Sequence, residues 1–240
     1  MKATIYTLII SIALITFSSC NGKSIRGDGN VVSKEISIAE YNSIEFRGGS
    51  TIFYEQKADS TPYLRIEIDE NLYPYLEVKS ENGTLSVKTE QGANIRPTKY
   101  EIYTNSKNLN SINASGSIKT FVKGKLESDN FEFKVSGSGS ITCDSLIANS
   151  VKSRVSGSAN ITLTGKAGTI DTAISGSGKV MSSDMQADTV ICTVSGSGNF
   201  SVYAEKLLKV KVSGSGNVNY KGDPHIEQSI SGSGKVIKAS

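Results

Sequence analysis

The chain has 240 residues, with 26 lysines and arginines against 23 aspartates and glutamates, so its formal net charge is only +3. This near balance, without any basic run or stripe, argues against nucleic acid as a partner. Three cysteines in no Cys-x-x-Cys spacing, together with His225 as the only histidine, argue against a zinc site. The length suits a single domain, and no cofactor or metal is predicted.

The first twenty residues have the organisation of a lipoprotein signal peptide. Lys2 supplies a positive charge, residues 5–17 form an apolar run short for a membrane span, and residues 16–20 read Thr-Phe-Ser-Ser-Cys. This ending resembles a bacterial lipobox, although Phe17 stands where leucine is commonest. We therefore predict a signal peptide over 1–19 and lipidation of Cys20, which would anchor the protein to the outer membrane without a spanning helix. The alternative is an ordinary secretory signal cleaved nearby, with Cys20 incidental.

Residues 20–30 are polar and glycine-rich, and the composition predicts a flexible tether. Asp28 is the only acidic residue in this stretch, whereas some surface-exported bacterial lipoproteins carry an acidic cluster directly after the cysteine. The composition therefore slightly favours an anchor that faces the periplasm over one on the cell surface.

Residues 31–110 alternate apolar and polar side chains in short runs, which is the pattern of half-buried β-strands. Residues 48–49, 81–83 and 92 are turn signals, and the Asn-Gly pair at 82–83 is the strongest hairpin signal among them. We predict less regular coils or a hairpin-containing cap here, since the bare end of a stacked repeat would expose strand edges. Seven of the ten tyrosines lie in this region. Packing in the core and cap is their favoured role, and stacking on sugar rings is the alternative.

The second half repeats the motif Ser-Gly-Ser-Gly at steps of 18 to 20 residues, after a truncated copy 21 residues earlier. Apolar residues stand two positions before and four positions after the first glycine of each copy, as one inward face of a strand requires. The repeat predicts an all-β fold, a parallel β-solenoid over 31–240 with coils of about 18–21 residues, the Ser-Gly coils covering 113–240. A second short strand is predicted in each coil, at 146–151, 168–172, 187–191 and 207–210. The structural repeat residues are the first glycines of the copies: Gly116, Gly137, Gly157, Gly176, Gly196, Gly214 and Gly232.

Two explanations account for the glycines of the motif. Their lack of a side chain lets backbone or a large opposing side chain approach closely, or it permits positive φ at a corner. Ala159 replaces the second glycine of one copy, and alanine is disfavoured at positive φ, so close packing is the favoured explanation. On this view both glycines point inward.

The alternate face of the same strands is predicted to meet water. It holds the serines of the motif and one further polar residue per copy: Ser140, Asn160, Lys179, Asn199, Asn217 and Lys235. As a binding face, this ladder would contact a glycan or a partner protein through many weak hydrogen bonds. The simpler explanation, which is favoured, is that serine keeps an outward sheet soluble and lets the coils stack.

No catalytic residues are predicted. Hydrolysis of a glycosidic bond usually needs two carboxylates within about 10 Å. Asp144 and Asp184 stand at similar positions in their coils, seven and eight residues after the first glycine of the motif, but about two coils apart. Scattered, solvated charges are therefore the favoured interpretation. Cys143 and Cys192 occupy different phases of separate coils, which predicts two unpaired, buried thiols.

The order of these features resembles a known family. The segments "YNSIEFRGGSTIFYEQ", "YLRIEIDENLYPYLEVKSENGTLSVKT" and "KYEIYTNSKNLNSINASGS" are followed by Ser-Gly-Ser-Gly coils to the end. Over roughly residues 38–237 the chain is similar to the putative auto-transporter adhesin family with the head GIN domain, common in Bacteroidetes. The resemblance implies a right-handed β-solenoid on the cell envelope, and it supplies no catalytic or binding residues.

Together these features predict a non-enzymatic envelope lipoprotein that serves as an adhesin or envelope interaction module. Its expected partners are the membrane, through the lipid anchor, and an unidentified glycan or protein. A periplasmic scaffold or signalling-associated protein without an external ligand is the alternative. A polysaccharide-active enzyme is a remote third hypothesis. The oligomeric state stays open.

Overall fold

The computed structural model describes residues 24–239, and these form a parallel β-solenoid of about six turns. The prediction of an all-β, parallel solenoid is therefore confirmed. A 3₁₀ helix covers Glu70–Tyr75. The strands of the N-terminal part are β1 Ser24–Arg26, β2 Val31–Ser37, β3 Ser43–Gly48, β4 Thr51–Gln56, β5 Tyr63–Asp69, β6 Leu76–Glu81, β7 Thr84–Thr89, β8 Asn94–Arg96, β9 Tyr100–Ser106 and β10 Ser111–Gly116. The strands of the regular coils are β11 Lys119–Gly137, β12 Ser140–Gly157, β13 Asn160–Gly176, β14 Lys179–Gly196, β15 Asn199–Gly214, β16 Asn217–Lys221, β17 His225–Gly232 and β18 Lys235–Lys238.

Each central coil is one long strand rather than the motif strand and separate second strand that the sequence predicts. Strands β11 to β15 run from one Ser-Gly corner to the next, and each pairs in parallel with the following coil. A shift in register, such as that between Cys143 and Leu146, bends each strand part-way along. The bulge turns the chain without ending the hydrogen-bonded ladder, so the predicted second strands merge with their neighbours.

The solenoid interior is made by the apolar columns that flank the motif. Val135 and Ile141 are 2% and 1% exposed, and the equivalent residues of the next four copies are also buried. In the last copy Ile230 is 37% exposed, because no further coil covers it within the described residues. The inward direction of these columns is as predicted.

The first glycine of each copy forms a corner. Gly137, Gly157 and Gly176 have φ of 111°, 109° and 122°, and the other first glycines also lie at positive φ. They are also stacked so closely that a Cβ on Gly137 would lie 2.6 Å from the carbonyl oxygen of Gly116. The packing explanation alone is therefore wrong for this position, because corner conformation and close stacking both require glycine.

The second glycine is different, and here the packing explanation holds. Gly178 is buried and does not have positive φ, but a Cβ there would lie 2.5 Å from the Ala159 carbonyl oxygen and 2.7 Å from Val155 Cγ1. Ala159 occupies the same position one coil earlier and is fully buried. Alanine is tolerated at this position because the backbone there does not need positive φ.

The N-terminal part combines early coils with an antiparallel cap. Strands β3 and β4 stack in parallel on β10 and β11, so Gly48 is a corner glycine paired with Gly116. Outside them, β2 pairs antiparallel with β5, and β5 pairs antiparallel with β9. The predicted hairpin joins β6 to β7, with φ of 51° at Asn82 and 71° at Gly83. Positive φ at both residues is what a two-residue type I′ turn requires.

One inward column contains hydroxyl groups without partners. Ser153, Thr172 and Cys192 are register partners on successive coils, and all three are buried. The hydroxyls of Ser153 and Thr172 have no hydrogen-bond partner among the described residues. Burial of an unpaired hydroxyl opposes folding, because the group loses its water without replacement.

Replacing Thr172 by valine is therefore expected to raise the free energy of unfolding by about 1 kcal/mol, since the shape is kept and the unpaired hydroxyl is removed. Urea denaturation measures the change. Thr104→Val is the matched control, because the Thr104 hydroxyl bonds both the Tyr41 hydroxyl at 2.7 Å and the Tyr63 carbonyl at 2.8 Å. The control should lose stability, and a loss of equal size in Thr172→Val would contradict the prediction.

Candidate binding face of the solenoid

An aromatic stack lies on the outside of the early coils. Phe53 stacks on Tyr103 with ring centroids 5.0 Å apart and on Phe121 at 5.4 Å. Arg65 lies 4.2 Å from the Tyr103 centroid, and Lys123 lies 5.3 Å from that of Phe121. The ring faces are therefore occupied by one another and by two cations, which leaves ring edges for solvent.

Other tyrosines of this region serve the interior. Tyr41 and Tyr54 are 2% and 1% exposed, and their hydroxyls bond Thr104 and Ser106 at 2.7 and 2.9 Å. Tyr100 is also buried. Burial raises the pKa of Tyr54 to about 12, so the phenol stays protonated. Core packing, the favoured role, is confirmed for these three.

The aromatic stack continues into a long polar surface, which we call the acid-free face. It consists of the outward residues one, three and five positions after each corner glycine, and none of them is acidic. All are exposed or half-buried, as predicted for the alternate strand face. The three columns are Ser117, Ser138, Ser158, Ser177, Ser197, Ser215 and Ser233; Lys119, Ser140, Asn160, Lys179, Asn199, Asn217 and Lys235; and Phe121, Thr142, Thr162, Met181, Ser201, Asn219 and Ile237.

The middle column is ordered by its asparagines. The Asn199 side-chain oxygen accepts a hydrogen bond from the Asn217 backbone N–H at 3.2 Å, and Asn217 accepts one from the Lys235 N–H at 3.1 Å. A shallow cavity of about 680 Å³ lies over these coils. Lys179 and Lys235 line it together with the two asparagines, and Met181 and Ile237 contribute apolar surface.

The strand face before each corner has a different character, because it carries acids as well as bases, and several of them form ion pairs. Arg154 binds Asp171 with two nitrogens, at 2.7 and 3.2 Å. Lys209 lies 3.0 Å from Glu227 on a later coil. This face carries both signs of charge, and its ladder of motif serines is exposed beside them.

The two carboxylates at similar positions in their coils, Asp144 and Asp184, do not lie together as a pair. Asp144 lies 3.8 Å from Lys123, and Asp184 lies 3.3 Å from Lys221. Between residues 24 and 239, no group of three or more histidine, cysteine or acidic side chains is placed to hold a metal ion. The surroundings of these two aspartates are those of ordinary surface ion pairs.

Cys143 and Cys192 are unpaired and buried, as predicted. Burial raises the pKa of the Cys143 thiol to about 12 and that of the Cys192 thiol further. Since the thiolate is the reactive form, both side chains act as small apolar groups in the core.

The segment before β2 is held firmly against the cap, which corrects the predicted tether for residues 24–30. Strand β1 pairs in parallel with β8. Asp69, fully buried, accepts hydrogen bonds from the Gly29 N–H at 2.8 Å, the Thr98 N–H at 2.7 Å and the Thr98 hydroxyl at 2.6 Å. Burial raises the pKa of Asp69, but these hydrogen bonds outweigh it and hold the pKa below its ordinary value. The predicted signal peptide and Cys20 lie outside the described residues.

Within residues 24–239, no helix has the length and apolar character that a membrane crossing requires.

These coils define a β-solenoid repeat protein that presents flat polar faces. The chain belongs to the family described as putative auto-transporter adhesin, head GIN domain, which matches residues 40–224. The resemblance noted in the sequence is thereby confirmed. No curated protein sequence matches the chain.

Solved structures from Bacteroidetes have the same architecture. A Parabacteroides distasonis protein described as a putative lipid binding protein is 32% identical, with a TM-score of 0.78 over 91% of this chain and 100% of that one. A putative adhesin from the same organism is 31% identical, with a TM-score of 0.72 over 90% of this chain and 100% of its own. A putative adhesin from Bacteroides fragilis, 24% identical, shares the fold with a TM-score of 0.86 over 90% of this chain and 100% of its own.

Proposed function

We propose that the mature protein begins at Cys20, carries acyl chains there, and acts as a non-enzymatic adhesion module at the cell envelope. The observation that supports this most directly is the acid-free face, on which hydroxyl and amide side chains repeat in register over seven copies of the motif. Such a surface offers many equivalent hydrogen bonds to an extended ligand. Membership of an adhesin-like family agrees with this role.

The position of β1 sets the orientation that this function would have. Only four Cα–Cα steps separate Cys20 from Ser24, so these two residues lie at most about 15 Å apart. Since β1 and the Asp69 contacts fix the following segment to the cap, a lipid on Cys20 holds the cap end beside the membrane. The regular coils then extend away from the bilayer, with the acid-free face running outward along them.

The proposed function is non-enzymatic because the two carboxylates at similar positions in their coils, Asp144 and Asp184, are engaged in ion pairs with lysines. Asp144 and Asp184 each lie beside a different lysine, on separate coils. An acid–base pair for glycoside hydrolysis needs its two carboxyl groups on either side of one bond. The shallow surface cavities also differ from the enclosed pockets in which most small substrates react.

The second candidate is a periplasmic scaffold, favoured by one observation. Asp28 is the only acidic residue in 20–30, where an acidic cluster would favour export to the cell surface. In a periplasmic protein the same polar faces would bind envelope components rather than an external surface.

Protease treatment of intact cells, with a lysed sample beside it, separates these two functions. Adhesion predicts that the solenoid is digested or shaved from intact cells, because a surface ligand must reach it. Protection until lysis would overturn the adhesion proposal for this chain and leave the periplasmic scaffold.

Lipidation is tested independently with Cys20→Ala. The wild-type chain should incorporate labelled palmitate and fractionate with the outer membrane, because acyl chains on one residue anchor a protein. Cys20→Ala should lose both properties, whereas Cys143→Ala, which removes a buried thiol, should keep them. Label in Cys20→Ala equal to that of the wild type would refute the assignment.

A further inference from the structure

The acid-free face carries charge of one sign only, and this suggests its ligand. We propose that it binds an acidic polysaccharide lying along the solenoid axis. This inference rests on the proposed adhesion function and names the ligand class of that function.

Three lysines stand in one column of this face. Lys119, Lys179 and Lys235 share the position three residues after a corner glycine, and each is three coils from the next. All three are exposed, and none has an ion-pair partner among residues 24–239. On the opposite side of the corner, by contrast, Arg154 and Lys209 are neutralised by neighbouring carboxylates.

The spacing of the lysines requires an extended ligand. Coils stack about 4.8 Å apart, so consecutive lysines are separated by roughly 14 Å and the column covers about 29 Å. A single carboxylate, sulfate or phosphate group cannot contact two of them. A linear polymer with acidic groups at intervals can contact all three.

The side chains between the lysines favour sugar. Ser140 and Asn160 fill the first interval, and Asn199 and Asn217 fill the second. Hydroxyl and amide groups donate and accept hydrogen bonds, which matches the hydroxyls of a glycan chain. The shallow cavity over the later coils offers Met181 and Ile237 as apolar surface for a sugar ring.

Nucleic acid fits the same face poorly. Duplex DNA carries a charge about every 1.7 Å, far denser than one lysine in roughly 14 Å. Single strands bind through bases stacked on aromatic rings, and the faces of Phe53, Tyr103 and Phe121 are already covered.

The test measures binding of the full chain, solubilised in detergent, to purified glycans by calorimetry at low salt. Polygalacturonate supplies carboxylates, chondroitin sulfate adds sulfates, and dextran is neutral. The variant is the double change Lys179→Gln and Lys235→Gln. Its matched control is Lys152→Gln and Lys211→Gln, which removes the same charge from exposed, unpaired lysines before the corner.

We expect the wild type to bind at least one of the two acidic glycans and not dextran. Comparison of polygalacturonate with chondroitin sulfate shows whether added sulfate groups strengthen binding. The variant should raise Kd by about tenfold, whereas the control should stay within about twofold. Equal weakening in the control, binding of dextran, or equally tight binding of poly-glutamate or single-stranded DNA would overturn the proposal. If no acidic glycan binds but cells lacking the protein lose adherence, the ligand class is wrong and adhesion stands. If the glycan binds through these lysines but the protein is protected from protease in intact cells, the glycan-binding site is supported and adhesion at the cell surface is refuted.

Discussion

Gly176→Ala will lower the free energy of unfolding by about 3 kcal/mol or more. Two costs combine at this corner. Gly176 has φ of 122°, a conformation that alanine resists, and a Cβ there would lie closer than 3.0 Å to the carbonyl oxygen of Gly157. The obstacle is backbone of the preceding coil, which cannot move aside without breaking its own ladder. Urea denaturation of wild type and variant measures the difference.

Gly124→Ala is the control for a glycine at positive φ without a stacked neighbour. Gly124 also has positive φ, 70°, but a Cβ there meets nothing within 4 Å. Its replacement should therefore cost only the conformational strain, about 1 kcal/mol. If both variants lose the same stability, neither the larger φ of Gly176 nor the stacking of the corner glycines adds a cost, and our account of the repeat is wrong.

Asp69→Asn will lower the free energy of unfolding by about 2–4 kcal/mol at neutral pH. Both carboxylate oxygens of Asp69 accept hydrogen bonds, from Gly29 and from Thr98. Asparagine has one oxygen, so its amide group must face an N–H donor that then lacks a partner. The buried position gives that donor no water to replace the lost bond. The change should loosen the segment before β2, since its Gly29 N–H would lose the charged acceptor on β5.

The same carboxylate sets a pH dependence. The pKa of Asp69 is lowered in the folded protein, whereas an aspartate in an unfolded chain has a pKa of about 3.9. Its contribution to stability is therefore fully present above the unfolded value and is lost as pH falls through the lower folded value. Asp69→Asn should lose this acid-dependent part, while Asp28→Asn, at an exposed carboxylate, should keep it. Identical acid denaturation of Asp69→Asn and wild type would contradict the assignment.

The stacking of the regular coils and their inward face could be predicted because their signal is local. Apolar residues at fixed distances from each corner glycine determine which face of the strand is inward, and the structure places Val135 and Ile141 accordingly. It was harder to decide whether a motif glycine is needed for positive φ at a corner or for close packing. Alanine at position 159 bears only on the second glycine of the motif, and applying it to the first gave the wrong answer for Gly137 and its equivalents.

The cap could not be predicted in detail, because its pairings join residues far apart in the chain. Asp69 contacts Gly29 across 40 residues, and nothing near Gly29 indicates a distant carboxylate. Gly48 was missed as a corner because Arg47 and Gly49 replace the motif serines. Its signal was nevertheless present, since Phe46 and Ile52 occupy the apolar positions two before and four after it.

The acid-free face was visible in part. Asn199, Lys179 and Lys235 were predicted to point outward from their alternation with buried residues, and they do. That this face carries only positive charge becomes clear only when the three columns are aligned from coil to coil. The ion pairs Arg154–Asp171 and Lys209–Glu227 on the neighbouring strand face join side chains on different coils, and such pairs require the register of the folded chain.

Each corner glycine packs against the carbonyl group of the corner glycine one coil earlier, so every central coil presents the same packing surface to the next coil. Duplication or loss of one whole unit of 18 to 20 residues would therefore rejoin equivalent corners and leave neighbouring coils in register. The height of the column is thus free to vary among descendants of one ancestral gene, while the cap stays constant. Selection acting on such proteins has, in the number of coils, a simple means of adjusting the length of the acid-free face.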